Sequence, residues 1–413
     1  MKKVAIIGGG ITGLCSAYYL VKAGYEVTIV DKGNITKGAS FINAGYVTPS
    51  HFVPLAEPGM INQGIKWMFN NSSPFYIKPR WDIDFFKWSW YFKKSSTKQK
   101  VAKAIPVLKE LNEKSKELYE EMLESLDFEF HIERKGLLMV YKSAKNEEHE
   151  TKLAEKGKDL GLDVSVLDKK ALHDLEPQFS EDVIGGVHYE CDAHSTPNLF
   201  MKNLKQWLEN NGVRFVLEEA VTGLEVDGKT IKAMHTSKNS IVADEFIMAA
   251  GSWTFPLAKK LGLNIPIQPG KGYSMSITRE TNINLPAILT EAKVAVTPMK
   301  GFTRFAGTME LSGDNNIILP TRVEAIAKAA SNYYSGFTLT PEEKKSATSG
   351  LRPVSPDGLP FIGKSSKFKN LNVAAGHAMM GWSLGPITGK LISEIVEGNH
   401  TSVLLEPFDL ERF

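Results

Sequence analysis

Four apolar residues, Val4-Ala5-Ile6-Ile7, open the chain and stop at Gly8-Gly9-Gly10; Ile11, Leu14, Cys15, Tyr18 and Val21 follow. The first run is short and continuous and predicts a buried strand, whereas the second recurs at helical spacing. Val27-Thr28-Ile29-Val30 repeats the strand signal and ends at Asp31. Gly33 to Pro58 is rich in Gly, Ser, Asn and Pro and predicts an extended loop. Ile105, Leu108, Leu111, Leu118, Met122 and Leu126 recur among Lys and Glu, so an amphipathic helix is expected over 98–126. A strand is expected over 136–141. Ser195-Thr196-Pro197 starts a helix that carries Leu199, Phe200, Leu204, Trp207 and Leu208 and stops at Asn211-Gly212. Strands are expected over 213–217 and 246–251, and mostly short ones over 270–320. The end alternates strand (371–375), glycine loop (376–385) and helix (386–396), with Gly398 as its stop.

The predicted fold class is therefore α/β. Segments of nucleotide-binding type lie at the start, middle and end, with strand-rich aromatic sequence between them. This predicts a Rossmann-like domain built from discontinuous segments 1–60, 165–265 and 345–413. A strand-rich α+β substrate or cap domain would come from 61–164 and 266–344. A ligand clamped from both chain ends suggests a flavoprotein rather than a nicotinamide enzyme.

Gly8, Gly10 and Gly13 sit where a dinucleotide fold needs them: a tight turn, a close approach to the pyrophosphate, and helix-on-strand packing. The helix N-terminus then offers free N–H groups to phosphate. Asp31 closes the second strand, where a carboxylate can accept from both adenosine ribose hydroxyls and would repel a 2′-phosphate.

Composition narrows the class. The 413 residues carry a net charge of +2, with 23% charged and 42% hydrophobic residues, an ordinary balance that excludes a dedicated nucleic-acid binder. Two cysteines, Cys15 and Cys191, fit a reducing compartment and no disulfide framework. No signal-peptide pattern precedes the first strand, and no apolar stretch approaches the ~20 residues of a spanning helix. A cytoplasmic location is expected, with peripheral contact at the inner face of the membrane as a further option. Residues 66–94 hold Trp67, Trp81, Trp88 and Trp90 among lysines and Arg80, so they read either as a packed cap, the preferred reading, or as an interfacial surface.

Several further motifs follow in order: Ser40-Phe41-Ile42-Asn43-Ala44-Gly45; Ile65-Lys66-Trp67-Met68-Phe69; Ala249-Ala250-Gly251-Ser252-Trp253; Phe305-Ala306-Gly307-Thr308-Met309-Glu310-Leu311; Gly350-Leu351-Arg352-Pro353 with Pro356-Asp357-Gly358; and Gly376-His377 with Gly381-Trp382. With these, essentially the whole chain resembles the D-amino-acid oxidase superfamily of flavoproteins, and within it the bacterial D-amino-acid dehydrogenase group.

The resemblance implies FAD. Some sarcosine oxidases of the family attach their flavin through a cysteine before the Pro-Asp pair; here Gly350 to Ser355 contains none, so a noncovalent flavin is expected. The implied reaction is oxidative deamination of D-amino acids, with D-proline or D-hydroxyproline among the candidates, by hydride transfer from Cα to flavin N5. Arg352 is implied as the clamp on the substrate carboxylate, since a guanidinium binds carboxylate bidentately. Tyr273 is a weaker candidate for a second substrate contact. His377 is weighed as a proton handler or as lining for the flavin edge, and His51 carries less weight still.

The implied cofactor-binding residues are Gly8, Gly10, Ile11, Thr12, Gly13, Asp31, Lys32, Ser40, Asn43, Ala44, Gly45, Val221, Ala250, Gly251, Trp253, Gly376, Gly381, Trp382, Ser383 and Leu384. The helix beginning at Gly385-Pro386 would favour negative charge on reduced flavin by about 0.3–1 kcal/mol. No metal and no nucleic-acid partner is expected. The expected partners are a small amino-acid substrate and an electron acceptor: a quinone, oxygen or another. Two alternatives remain at this level, a glycine or sarcosine-type oxidase and a flavin-binding electron-transfer subunit without a substrate of its own. Arg352 weighs against the second.

Overall fold

Strands Lys3–Ile7 and Glu26–Val30 pair in parallel and are joined by the helix Ile11–Lys22. The computed structural model describes residues 1–59, 73–128 and 130–413. Among them, the pair lies inside a six-stranded sheet ordered Arg214–Val216, Glu26–Val30, Lys3–Ile7, Glu245–Met248, Leu371–Ala375, Phe361–Lys364. Every neighbouring pair is parallel except the last. Parallel strands are buried on both faces, which is why these segments read as apolar runs without alternation. Ile6, Ile29 and Ile247 face one core with helices Ile11–Lys22 and Gly385–Glu397; Ile7, Phe246, Met248 and Val373 face the other.

A second sheet runs in the order Thr348–Val354, Gln268–Ile277, Phe302–Leu311, Val294–Met299, Ala287–Leu289, Leu137–Tyr141, Gly185–Tyr189, Ser165–Asp168, and Phe75–Ile77 joins Phe302–Leu311 from the side. Tyr273, Met275, Phe305 and Val294 pack one of its faces against the helix Pro320–Tyr333. Two of its strands, Gln268–Ile277 and Phe302–Leu311, span ten residues each, longer than the short strands expected there. The expected domain boundaries at 165 and 345 also need correction. Ser165–Asp168, Gly185–Tyr189 and Thr348–Val354 belong to this second sheet, because cross-strand pairing and not local composition decides membership. The strand expected over 246–251 ends at Met248, and Gly251–Trp253 turns into a short 3₁₀ helix.

The loop after Asp31 connects the two sheets. Its Tyr46–Val47 pairs with Ala193–Ser195, and the Tyr46 hydroxyl donates to the carbonyls of Ala287 and Val296 in the second sheet. The long helix Lys98–Ser125 lays Ala104, Leu108, Leu111, Leu118 and Met122 on the first core. Helix Ile83–Ser95 packs Phe85 and Trp88 against Met309, Leu311 and Val354, and the Trp88 indole donates to the Val354 carbonyl at 2.9 Å. This face of the aromatic segment is packed against the second sheet. Trp67 and the Ile65–Phe69 motif lie outside the described residues.

Candidate active site

The glycine turn is built as its spacing predicts. Gly8 has φ +108, and a Cβ there would lie 2.4 Å from the Ala249 carbonyl oxygen. A Cβ on Gly13 would lie 1.9 Å from the Gly8 carbonyl oxygen, so helix and turn touch only because residue 13 lacks a side chain. Asp31 reaches back under the turn: Oδ2 accepts from Gly9 N at 2.7 Å and Oδ1 from Gly33 N at 2.8 Å. No side chain caps the helix at Gly10, and Ser40 Oγ accepts from Ile11 N at 3.1 Å. Thr12 is buried beside it. The nearest atom to a Cβ on Gly10 would be Ser40 Oγ at 3.2 Å. A helix start faced only by the Ser40 hydroxyl, a carboxylate at the strand end and a side-chain-free Gly10 are a cradle that fits a dinucleotide.

Other predicted residues converge on it. Glu218 N and Glu219 N donate to the carbonyls of Gly33 and Asp31, which lays the segment before Val221 along the acid. Ala249 N donates to Ile7 O, so Ala250 and Gly251 abut the Gly8 turn. Lys32 Nζ stands 3.2 Å from the Trp253 ring centre, and the Trp253 indole donates to Asp314 at 2.7 Å. Burial holds the Lys32 pKa below its ordinary value, and the nearby Asp314 and Asp31 only partly offset this.

The 40–45 loop is fastened mostly through its carbonyls. Arg304 Nη1 donates to Asn43 O at 2.8 Å and Phe41 O at 3.3 Å; Thr297 Oγ1 donates to Ala44 O; Ser195 donates to Gly45 O through N and Oγ. Gly45 N donates to the Asn43 side chain. Burial pushes the Arg304 pKa down to about 10, and no carboxylate among the described residues pairs with it. The gathering of these carbonyls by Arg304 has no local signature in the sequence.

Arg352 stands on the same side of the second sheet as this loop. It pairs with Gly270, and two residues along, on the same face, Gly272 pairs with Gly350. A Cβ on Gly350 would lie 2.8 Å from Ala39 Cα and 3.2 Å from Ile42 Cδ1. The glycines therefore bring the loop down onto the strand. The guanidinium fills the room above Gly272 and donates from Nη1 to Thr308 O at 2.8 Å. Between the pairs Lys271–Glu310 and Tyr273–Gly307, the ladder slips by one residue. Thr308, with φ +68, sits in that bulge. Such a backbone costs a β-branched residue of the order of 1–3 kcal/mol, a strain that clusters at ligand sites. Burial alone moves the Arg352 pKa, down to about 10, and no carboxylate among the described residues pairs with it. Arg352 thus stays cationic at neutral pH, uncompensated, beside the 40–45 loop.

Tyr273 does not join it. Successive residues alternate across a strand, and Tyr273 faces the core on the opposite side from Gly272. Its hydroxyl donates to Glu310 at 2.6 Å, and Lys271 completes the buried cluster with an ion pair to Glu310 at 3.0 Å. Burial and then Glu310 push the Tyr273 pKa up, so its proton is committed.

His377 is buried, with Nε2 2.9 Å from Thr388 Oγ1. The Thr388 hydroxyl donates to Leu384 O, so it can only accept from the histidine. The proton therefore sits on Nε2, and burial lowers the pKa to about 4. His377 fastens the glycine loop to helix Gly385–Glu397 as a neutral imidazole.

In the same loop, the Trp382 indole donates to Ser195 Oγ at 2.9 Å and its rings pack on Tyr119 and Phe200 in the core. Ser383 Oγ accepts from Thr48 N and donates to Asn112. Leu384 is fully buried. Around Gly376 and Gly381, what this loop offers a ligand is main chain. Among the described residues, no group of three or more His, Cys, Asp or Glu is arranged to hold a metal.

Residues 3–395 match the family model DAO, FAD dependent oxidoreductase. A D-amino acid dehydrogenase from Neisseria gonorrhoeae is 28% identical over 419 residues, covering 100% of this chain and 99% of its own. One from Azorhizobium caulinodans is 29% identical over 418 residues, with full coverage of both. Of solved structures, glycine oxidase from Geobacillus kaustophilus superposes with TM-score 0.79 at 21% identity over the full length of both chains. L-proline dehydrogenase from P. horikoshii gives 0.77 at 17%, covering 100% of this chain and 97% of its own. A glycine-turn cradle at one end, an uncompensated arginine beside its loop, and a family match across nearly every residue lead to one assignment: the chain belongs to the DAO family of FAD-dependent oxidoreductases.

Proposed function

We propose that the protein is a D-amino-acid dehydrogenase that holds its FAD noncovalently. The observation that carries the reading is Arg352: a buried cation without a counter-charge, on a glycine-floored sheet face against the dinucleotide loop. A desolvated guanidinium asks for an anion, and a planar one selects a carboxylate by paired hydrogen bonds. The names of the relatives at 28% and 29% identity supply the stereochemical part of the proposal.

FAD would be held by the glycine turn and the N-terminus of helix Ile11–Lys22, by Asp31 at the adenosine ribose, and by the main chain of 40–45 and of 376–384. When bound, it supplies the hydride acceptor. The chain's own part is positional. Thr308 O fixes one guanidinium N–H of Arg352 and leaves the rest to fix the substrate carboxylate, and with it the orientation of Cα. Exclusion of water strengthens the pair. His377, neutral and bonded to Thr388, keeps the glycine loop in place and moves no proton. Cys15 and Cys191 are remote in sequence from the Arg-Pro segment, which supports a flavin held without a covalent bond.

The test is an anaerobic screen. D-amino acids should bleach the flavin band of the purified protein, while L-amino acids, glycine and sarcosine should do so poorly. Equal or better bleaching by glycine or sarcosine would move the assignment to that oxidase class. Acid should release the flavin into the supernatant; colour retained on the precipitate would overturn noncovalent binding.

We also propose that the outer face of helix Ile83–Ser95 rests on an anionic membrane surface. Trp81, Ile83, Phe86 and Trp90 are exposed on that side with Lys87, Lys93 and Lys94, opposite the buried Phe85 and Trp88. No helix among the described residues is long and apolar enough to cross a membrane. Sedimentation with anionic vesicles should carry the protein down, and Trp81→Ser with Trp90→Ser should abolish it; equal binding to neutral vesicles, or no loss in the variant, would refute the surface.

A further inference from the structure

Ser50, His51 and Asp192 form a hydrogen-bonded chain that the site above does not use. Ser50 Oγ lies 2.5 Å from Asp192 Oδ2 and 3.0 Å from His51 Nδ1, and Ser50 N donates to Asp192 Oδ1 at 3.0 Å. Asp192 is fully buried and His51 partly so.

The order of the groups matters. The hydroxyl stands between acid and imidazole, so this is no nucleophile triad. A single Ser50 proton can be arranged in two ways. In one, Asp192 is ionised, Ser50 donates to it, His51 Nδ1–H donates to Ser50, and Nε2 carries a lone pair. In the other, protonated Asp192 donates to Ser50, Ser50 donates to His51 Nδ1, and Nε2 carries the hydrogen. Both arrangements satisfy every bond in the chain. They differ by one proton gained at Nε2, with the charge change appearing on Asp192 and no imidazolium formed.

Two links tie the chain to the strands that carry Arg352 and its acceptor Thr308. Val294 pairs with Gly307, which puts Lys293, the next residue out, across from Thr308, the acceptor of Arg352. The Lys293 charge acts on His51. Leu55, four residues beyond His51, packs with Met309 of the bulge and with Val354, two residues past Arg352.

We propose that His51, Ser50 and Asp192 are a one-proton relay that takes the proton an ammonium-form substrate must shed before its amine can be oxidised. The N–H bond of the substrate breaks, its hydrogen goes to His51 Nε2, the Nδ1 hydrogen passes to Ser50, and the Ser50 hydrogen passes to Asp192. The proton returns to solvent after turnover. This rests on the amino-acid reading of the Arg352 site.

The surrounding charges fit the direction of transfer. Burial, then Lys293, lowers the His51 pKa to about 4, so an imidazolium is disfavoured. Burial raises that of Asp192 to about 7, against the hydrogen bonds of Ser50 and the charge of Lys116, whose Nζ donates to Cys191 O. Of the two groups, the acid is therefore the better place for the proton. From the helix Ala144–Asp159, Glu150 faces the same region; burial keeps its pKa raised, against the charges of Lys293 and His149 and with Glu291 and Glu57. From the other flank, the thiol of Cys191 and the phenol of Tyr189 are held protonated, chiefly by burial.

The test is the pH profile of anaerobic flavin reduction by a D-amino acid in the FAD-loaded enzyme. In Ser50→Ala the wire is cut while Arg352 and the glycine cradle stay intact. Reduction at neutral pH should fall by about 10²-fold, the usual size of a lost proton-transfer group. It should then climb with pH and meet the wild-type rate where the free amine is already neutral. His51→Gln should behave alike. A loss of equal size at every pH, or no loss at neutral pH, would overturn the relay. A second readout is infrared: binding of a Cα-dimethyl amino acid, which has no hydride to give, should produce a protonated-carboxyl band in the wild type and none in Asp192→Asn. Its absence from the wild type would also overturn the proposal. Wild-type flavin that no amino acid reduces would instead refute the parent reading.

Discussion

Gly272 makes room for Arg352: a Cβ on residue 272 would lie 2.3 Å from Nη1 and 2.4 Å from Cζ of the guanidinium. The obstructing atoms are the far end of a flexible side chain, so Gly272→Ala can be accommodated by moving the arginine and not the sheet. The variant should fold and bind FAD normally. Its flavin should be reduced by D-amino acids with a much raised half-saturation, because the carboxylate pair is displaced without being deleted. Unchanged half-saturation would mean that the guanidinium does not act from the place it occupies here.

Asp31 accepts from Gly9 N and Gly33 N at the end of the second strand. Asp31→Ala should weaken FAD binding by about 1–3 kcal/mol, the range for hydrogen bonds to a charged group. Excess FAD should restore activity. A flavin titration of the apoprotein measures this, and equal affinities in variant and wild type would remove Asp31 from the cofactor site.

Arg304 holds the carbonyls of Phe41 and Asn43 from inside the second sheet. In Arg304→Ala the 40–45 loop loses both bonds, each worth about 1.5–3 kcal/mol when the donor is charged. FAD should dissociate faster, with Arg304→Lys intermediate. Dilution-induced flavin release, followed by fluorescence, gives the rate; a rate unchanged in Arg304→Ala would contradict an anchoring role.

Two buried histidines set a direction for acid stability. Burial lowers the pKa of His377 and of His194 from 6.5 to about 4. Between those values the unfolded chain binds protons that the folded chain does not, so the contribution is intact above pH 6.5 and is lost as pH falls toward 4. Asp192, raised from 3.8 to about 7, has the opposite sign, losing stability as pH rises through that window. His51, lowered likewise, acts with these two histidines and Glu150, raised by burial, acts with Asp192; the three histidines should make Tm fall on acidification from 6.5 to 4. His377→Gln should flatten that slope in a thermal melt series, and an unaltered slope would show that His377 is not held neutral.

Much of this was legible in the sequence, and what was not has a common cause. Gly8, Gly10, Gly13 and Asp31 act through spacing within one βαβ unit, so a linear reading reaches them. Arg352 was found through its resemblance to a family motif, but its setting depends on a one-residue slip between strands far apart in the chain. That register decides that Gly272 lies under the guanidinium and that Tyr273, one residue on, points into the opposite core with Glu310. Trp382 shows the same limit: the resemblance implies it for the cofactor, while the bond of its indole to Ser195 inside the core depends on a partner 187 residues away. In the aromatic segment Trp88 is buried and Trp81 98% exposed, a difference that composition does not carry.

The central claim is that Arg352 binds the substrate carboxylate. The direct measurement is anaerobic flavin reduction by a D-amino acid in Arg352→Ala and Arg352→Lys, with flavin content checked by absorbance. Both variants should retain FAD. Reduction should collapse in Arg352→Ala, through loss of the charge-assisted pair and of the orientation it gives Cα. Arg352→Lys should recover little, since an ammonium cannot make the planar two-bond contact. Reduction of Arg352→Ala at the wild-type rate and half-saturation would contradict the account.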